Sequence, residues 1–95
     1  AMTCGKHMKK SCFELGGNDP FIVLKEADVE KAVNLGYASR MANNGQACIN
    51  AKRFILSEHI YDEFKERLIE KIKSDCVIGD PMDPATTLGP LAMAR

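Results

Sequence analysis

Two short motifs hold the residues of this sequence that could carry out chemistry. The first, at 13–17, sets Glu14 beside two glycines, and the second, at 43–48, ends in Cys48. A thiol can attack a carbonyl carbon to give a covalent intermediate, which water activated by a carboxylate can later hydrolyse. Glycine lets a substrate or cofactor approach the backbone closely. The pair predicts a nucleophile, Cys48, and a general base, Glu14, for covalent acyl chemistry.

Each of these two residues also has a plain structural interpretation. A lone unreactive cysteine is commonly buried as a small apolar side chain, and a lone glutamate at a strand end is commonly a solvated charge. Cys48 is predicted to follow a helix C-terminus, where the helix dipole does not favour a thiolate. The catalytic interpretation therefore depends on the two motifs occurring together, 34 positions apart.

The elements that must hold the motifs alternate between strand and helix. Residues 21–24 form a short apolar run that predicts a strand buried on both faces, and residues 53–56 predict a second strand. Between them, Asp28 is a favourable N-cap for a helix that runs to about Asn43. An Asn-Asn-Gly turn ends this helix, so Cys48 is expected in the turn beyond it.

A second helix is predicted from Ile60 to about Ser74, with Glu63 and Arg67 as an i,i+4 ion pair. Its apolar stripe comprises Tyr61, Phe64, Leu68 and Ile72. The segment from Val77 contains several Pro and Gly turn signals and is predicted to be irregular. The alternation indicates an α/β fold, a small βαβα unit with parallel strands and a right-handed crossover.

Composition restricts the functional classes open to the chain. Its 95 residues suffice for one small domain, too small to bind a dinucleotide and a substrate together. Thirteen basic and thirteen acidic residues cancel, so no net charge attracts nucleic acid or a membrane. No apolar run approaches the roughly 18 residues of a membrane-spanning helix. Because no hydrophobic segment follows the N-terminal lysines, we expect no signal peptide and a cytoplasmic location.

The four cysteines are expected to be thiols in that reducing compartment. Their spacing matches neither a disulfide framework nor paired Cys-x-x-Cys ligands. Cys4, His7 and Cys12 could in principle hold a metal ion. A closed zinc site needs four ligands, however, and the sequence offers no second cluster. We therefore predict no metal site.

Several segments, taken in order, resemble the NAD(P)-dependent aldehyde dehydrogenase family. The similarity runs from about Lys9 to Leu91. The segments that carry it lie at 13–17, 18–24, 27–28, 43–54, 60–64 and 77–81. The stretch at 45–54 is most similar to the bacterial succinate-semialdehyde dehydrogenases and also fits related semialdehyde enzymes. The resemblance implies oxidation of a small aldehyde to a carboxylate through a cysteine thioester, with NAD or NADP as cofactor.

The resemblance also assigns roles to individual residues. Cys48 matches the nucleophile of the family, and Glu14 matches its general base. Leu15 and Gly16 correspond to backbone near the nicotinamide end of the cofactor. Asn50 stands where some relatives have a second cysteine that acts as a redox switch.

By the same resemblance, the chain is a central part of such an enzyme. Residues 1–17 correspond to the end of the cofactor domain, and residues 18–95 to a part of the catalytic domain. The pyrophosphate loop would precede residue 1, so we expect the chain to be inactive alone. Uncovered strand edges and apolar faces predict a homo-oligomer. The alternative is a non-catalytic remnant that folds and self-associates.

Overall fold

The computed structural model describes residues 1–93. Its elements, in chain order, are α1 (Met2–Lys6), β1 (Asp19–Val23), α2 (Val29–Met41), β2 (Ala51–Leu56) and α3 (Tyr61–Asp75). Two short 3₁₀ turns, Ala42–Gly45 and Glu58–Ile60, precede β2 and α3. The predicted α/β class is confirmed, whereas the five-residue helix α1 and the two 3₁₀ turns were not predicted.

The two strands pair in parallel, and α2 makes the connection between them. Phe21 lies opposite Phe54, and Val23 lies opposite Leu56. Because parallel strands run in the same direction, the segments that enter them meet at one edge of the sheet. The glutamate motif precedes β1 and the cysteine motif precedes β2, so the topology brings both motifs to this edge.

The core lies between the sheet and the helices. Val23 of β1, Val33 of α2 and Phe64 of α3 are buried together. The ring of Phe54 bridges them, with its centroid 5.8 Å from that of Phe64. Gly36 lets α2 approach this ring, because an added Cβ there would lie 2.9 Å from a Phe54 ring carbon.

The prediction that the strand at 21–24 is buried on both faces is wrong. Phe21 is half-buried and Val23 buried on the face that the helices cover, but Ile22 is 61% exposed and Leu24 is 66% exposed. Successive side chains of a strand point to opposite faces. Within residues 1–93 the helices cover one face only, so the alternate apolar side chains remain in solvent.

The helix α2 begins as predicted and ends two residues early. The Asp28 carboxylate accepts a hydrogen bond from the backbone N–H of Lys31 at 3.0 Å, which is the expected N-cap. The last helical residue is Met41 rather than Asn43. Asn43 has φ 51°, a left-handed conformation that cannot continue the helix.

The helix α3 matches its predicted span within one residue at each end. The predicted ion pair is confirmed, with Glu63 and Arg67 2.8 Å apart. Of the predicted stripe, Phe64 is buried and Leu68 half-buried, whereas Tyr61 is 50% exposed. Residues 77–93 form no helix or strand beyond one isolated bridge between Ile78 and Leu88, as predicted.

The described chain is extended for its length. Its radius of gyration is 17.6 Å, against about 12 Å for a compact domain of this size. The core is correspondingly small, and many large apolar side chains are exposed. Among residues 1–93, no helix is long and apolar enough to cross a membrane.

Candidate active site

The structure brings the two sequence motifs together around one open cleft of about 330 Å³. The cleft is lined by Glu14, Leu15, Gly16 and Gly17 from the first motif and by Gly45, Gln46, Ala47, Cys48 and Lys52 from the second. The predicted nucleophile and base therefore share a site, as the parallel strands require. Glu14 is exposed, and Cys48 is half-buried.

Gly17 makes the closest approach between the motifs. A Cβ added at Gly17 would overlap the carbonyl oxygen of Cys48 and lie 3.3 Å from its carbonyl carbon. Any side chain at this position would force the two segments apart. A Cβ added at Gly16, by contrast, would have nothing within 4 Å. The two glycines therefore differ: one permits contact between segments, and the other faces open space.

The thiol is carried by a turn that reverses the chain after α2, as predicted. Asn43, Asn44 and Gly45 have φ angles of 51°, 56° and 72°. Asparagine tolerates this left-handed region better than most other residues, and glycine adopts it freely. The Arg40 side chain donates to the Gly45 carbonyl at 3.4 Å, which links the turn to the last residues of α2. Cys48 lies beyond this turn, three residues before the first residue of β2.

Asn50 anchors the other end of this turn. Its side chain is only 1% exposed, and its Nδ2 donates to the carbonyls of Arg40 at 3.1 Å and Ala42 at 2.8 Å. Carbonyls at a helix C-terminus have no partner within the helix, so the amide satisfies groups that would otherwise be unpaired. The Oδ1 atom is buried and accepts no hydrogen bond from the described residues. The sequence singled out Asn50 only because some relatives have a second cysteine there, and this anchoring role was not predicted.

Lys52 is a second residue that the sequence analysis missed. Its Nζ donates to the carbonyls of Ala47 at 2.9 Å and Cys48 at 3.1 Å, and contacts that of Asn50 at 3.5 Å. Because the predicted strand began at position 53, the sequence did not assign Lys52 to either face of the sheet. The observed strand begins at Ala51 and turns Lys52 toward the helix-covered side. The sequence signal that could have found it is that this lysine shares the period-two spacing of the apolar strand residues that face the helices.

The sequence profile of the aldehyde dehydrogenase family matches residues 1–95. The chain belongs to the aldehyde dehydrogenase family. This confirms the resemblance on which the interpretation of the two motifs was based.

Individual aldehyde dehydrogenases are similar over nearly the whole chain. A succinate-semialdehyde dehydrogenase (NADP(+)) of Mycobacterium avium (strain 104) is 49% identical over 92 residues, which are 97% of this chain and 19% of that protein. A benzaldehyde dehydrogenase of Bacillus subtilis (strain 168) is 49% identical over 90 residues, 95% of this chain and 18% of that protein. The crystal structure of an NADP dependent enzyme from E. coli matches with a TM-score of 0.86 and 44% identity, covering 95% of this chain and 18% of that chain. The chain thus spans about a fifth of the length of the relatives it matches.

The remaining features of the cleft concern hydrogen-bond donors, exposure and metal ligands. Within residues 1–93, the backbone N–H of Cys48 donates no hydrogen bond. Leu15 is 73% exposed beside the cleft. Among the described residues, no group of three or more His, Cys, Asp or Glu side chains is arranged to hold a metal ion. Cys4, His7 and Cys12 therefore do not form such a group in this structure. The four cysteines are free thiols.

Proposed function

We propose that this chain supplies the nucleophile and the general base of an aldehyde dehydrogenase of the succinate-semialdehyde dehydrogenase type. Cys48 is the nucleophile, and Glu14 is the base. The observation that carries the proposal is the shared cleft, in which residues 34 positions apart in sequence line one space of about 330 Å³. Family membership supports the same roles.

The chemistry of this chain's own residues has two stages. In the first, the sulfur of Cys48 adds to the aldehyde carbon while the carbonyl electron pair moves to oxygen. The N–H of Cys48, which has no other partner among the described residues, is available as one donor to that oxygen. In the second stage, once oxidation of this adduct has given the thioester, Glu14 takes a proton from a water molecule that attacks the thioester carbon. The C–S bond then breaks, which releases the carboxylic acid and restores the Cys48 thiolate.

The cofactor is proposed to be NAD or NADP, and it would supply the oxidation by accepting a hydride. Leu15 and Gly16 fit its nicotinamide end: Leu15 offers an exposed apolar side chain, and Gly16 has open space around it. The pyrophosphate of the cofactor needs a binding site of its own. Within residues 1–93 no glycine-rich loop leads into a helix N-terminus, the usual cradle for such a group. We therefore propose that the chain alone binds no dinucleotide productively.

The first substrate to test is succinate semialdehyde, because the Mycobacterium avium relative acts on it by name. A benzaldehyde dehydrogenase is equally similar at 49% identity, so benzaldehyde is the comparison substrate. The four free thiols suit a reducing compartment, and we propose a cytoplasmic location. The predicted boundary between the cofactor-domain part and the catalytic-domain part, at residues 17 and 18, lies directly before β1 and stays a prediction.

A chimera tests the proposal. Residues 9–91 replace the matching segment of the Mycobacterium avium enzyme, and NADPH formation from each aldehyde is followed by absorbance. We expect the chimera to oxidise succinate semialdehyde and to lose activity in Cys48→Ala, while Cys76→Ala remains active. The 95-residue chain alone is expected to give no NADPH. A folded chimera that stays active in Cys48→Ala would overturn the proposal.

A second candidate is a folded, non-catalytic protein that self-associates, and an apolar groove beside β1 favours it. An apolar groove of about 450 Å³ runs along β1 and α2, where Ile22, Leu24 and Leu35 are more than half exposed. This candidate predicts association without any special reactivity at Cys48. Thiol reactivity therefore separates the two candidates.

A further inference from the structure

Lys52 places an ammonium group beside the candidate nucleophile without a carboxylate partner. None of the ion pairs among residues 1–93 includes it. Its Nζ instead contacts three backbone carbonyls of the turn that carries Cys48, at 2.9, 3.1 and 3.5 Å. An ammonium group has three donors, so these carbonyls account for all of them. The side chain is half-buried and lines the same cleft as Cys48.

The Ala47 carbonyl is the acceptor that matters for chemistry. It belongs to the same peptide group as the N–H of Cys48. In a planar trans peptide the C=O and N–H point in opposite directions, so fixing one fixes the other. The Ala47 oxygen accepts from Lys52 at 2.9 Å and from the backbone N–H of Asn50 at 3.2 Å, which occupies both of its lone pairs.

A charged donor on this carbonyl also changes the donor strength of the N–H. Hydrogen bonds from an ionised group are roughly twice as strong as neutral ones. Hydrogen bonds in series polarise one another, so a peptide whose oxygen contacts an ammonium becomes a better donor at nitrogen. Within residues 1–93 the N–H of Cys48 has no competing acceptor.

We propose that Lys52 is a positioning residue that orients and polarises the Ala47–Cys48 peptide. The Cys48 N–H then stabilises the oxyanion that forms when the Cys48 sulfur adds to a carbonyl carbon. The inference rests on the proposed role of Cys48 as nucleophile. It assigns Lys52 no contact with the substrate. Its effect is confined to reactions in which negative charge develops on a carbonyl oxygen next to Cys48.

Two thiol reagents separate this role from a general effect on the turn. With p-nitrophenyl acetate, the sulfur bonds to the carbonyl carbon through an oxyanion, and nitrophenolate leaves as the thioester forms. With iodoacetamide, the sulfur displaces iodide from a CH₂ carbon, and no oxyanion forms. The ratio of the two rate constants at Cys48 therefore reports the oxyanion donor, whereas each rate alone also reports exposure and thiolate content.

The experiment uses the whole chain and measures both rates at Cys48 by peptide mass spectrometry, with circular dichroism as the check of folding. Lys52→Met is expected to lower the acetylation rate about tenfold relative to the alkylation rate, less than the roughly 100-fold or more caused by loss of a whole oxyanion donor. Lys52→Arg keeps the charge and is expected to restore most of the ratio. Lys65→Met is the matched control, because that ammonium pairs with exposed Asp62 on α3.

The outcomes are distinct. A ratio unchanged in Lys52→Met, or equal losses with both reagents, would overturn the inference. If Lys52→Met does not fold, a through-hydrogen-bond NMR coupling between Lys52 Nζ and the Ala47 carbonyl carbon decides, and its absence in the unsubstituted chain overturns the inference. If Cys48 reacts no faster with p-nitrophenyl acetate than the exposed Cys12, the proposed nucleophile fails, but a lowered ratio in Lys52→Met would still uphold the geometry.

Discussion

Gly17 lies directly against the carbonyl group of Cys48, and no side chain could occupy its position without separating the two segments. A neighbouring contact supports the same approach, since the Arg53 side chain donates to the Asn18 carbonyl at 3.1 Å. These two contacts join the segment before β1 to the segment before β2. The cleft between Glu14 and Cys48 depends on them.

The first prediction concerns this contact. Gly17→Ala is expected to push the first motif away from Cys48, because the clash is with backbone and no rotamer change relieves it. The alkylation rate of Cys48 by iodoacetamide should then rise several-fold, measured by mass spectrometry. Gly16→Ala is the control, since an added methyl group there meets nothing. Equal rates in the two variants would show that the contact does not shield the thiol.

The second prediction concerns the anchor at Asn50. Asn50→Ala removes both donors to the Arg40 and Ala42 carbonyls and leaves these partly buried acceptors unpaired. The free energy of unfolding should fall by about 1–3 kcal/mol, measured by urea denaturation. Asn34→Ala on the exposed face of α2 is the control and should change stability by about 0.5 kcal/mol or less. A small effect at Asn50 would mean that water satisfies these carbonyls.

The third prediction is a pH dependence at Tyr37. Burial raises the pKa of its phenol above the usual value of 10.0, and the neighbouring Cys76 and Asp75 raise it further. A raised pKa in the folded state favours the neutral phenol, so this stabilisation is present below pH 10 and is lost as the pH rises through the folded pKa. Urea midpoints between pH 8 and 11 should fall less steeply in Tyr37→Phe than in the unsubstituted chain. Tyr61→Phe, at an exposed position, should follow the unsubstituted chain; a fall of equal slope in both variants would contradict the assignment.

The fourth prediction concerns self-association. Ile22 and Leu24 expose apolar surface beside an edge of β1 that no other strand of residues 1–93 pairs with, so the chain should not be a monomer at micromolar concentration. Ile22→Lys should shift the distribution toward monomer in sedimentation velocity. Met82→Lys, at an 86% exposed turn position, should not. A monomer of 10.5 kDa for the unsubstituted chain would refute the prediction.

Much of the fold could be predicted because its signals are local. The Asp28 cap and the Asn-Asn-Gly turn are determined by neighbouring residues, and they set the span of α2 to within two residues. The exposure of Ile22 could not be predicted, because an apolar run has the same sequence whether one face or both are covered. The short helix α1 gave no periodic pattern to detect.

The candidate site also has one part that the sequence could predict and one part that it could not. Residue type and motif order predicted that Glu14 and Cys48 belong together, and the parallel strands bring them to one cleft. The contacts of Asn50 and Lys52 could not be predicted, because their acceptors are backbone carbonyls whose directions are set only when the turn folds against α2. The direction of a backbone carbonyl cannot be inferred from the order of side chains in the sequence.

The most direct test of the central claim is a pre-steady-state measurement on the chimera with the Mycobacterium avium enzyme. Glu14→Gln should give a single burst of NADPH, close to one per Cys48, and then stop, because the thioester forms but water is not activated to hydrolyse it. Glu26→Gln, at an exposed position before α2, should turn over normally. Continued turnover in Glu14→Gln at the rate of the unsubstituted chimera would contradict the assignment of Glu14 as the base that serves Cys48.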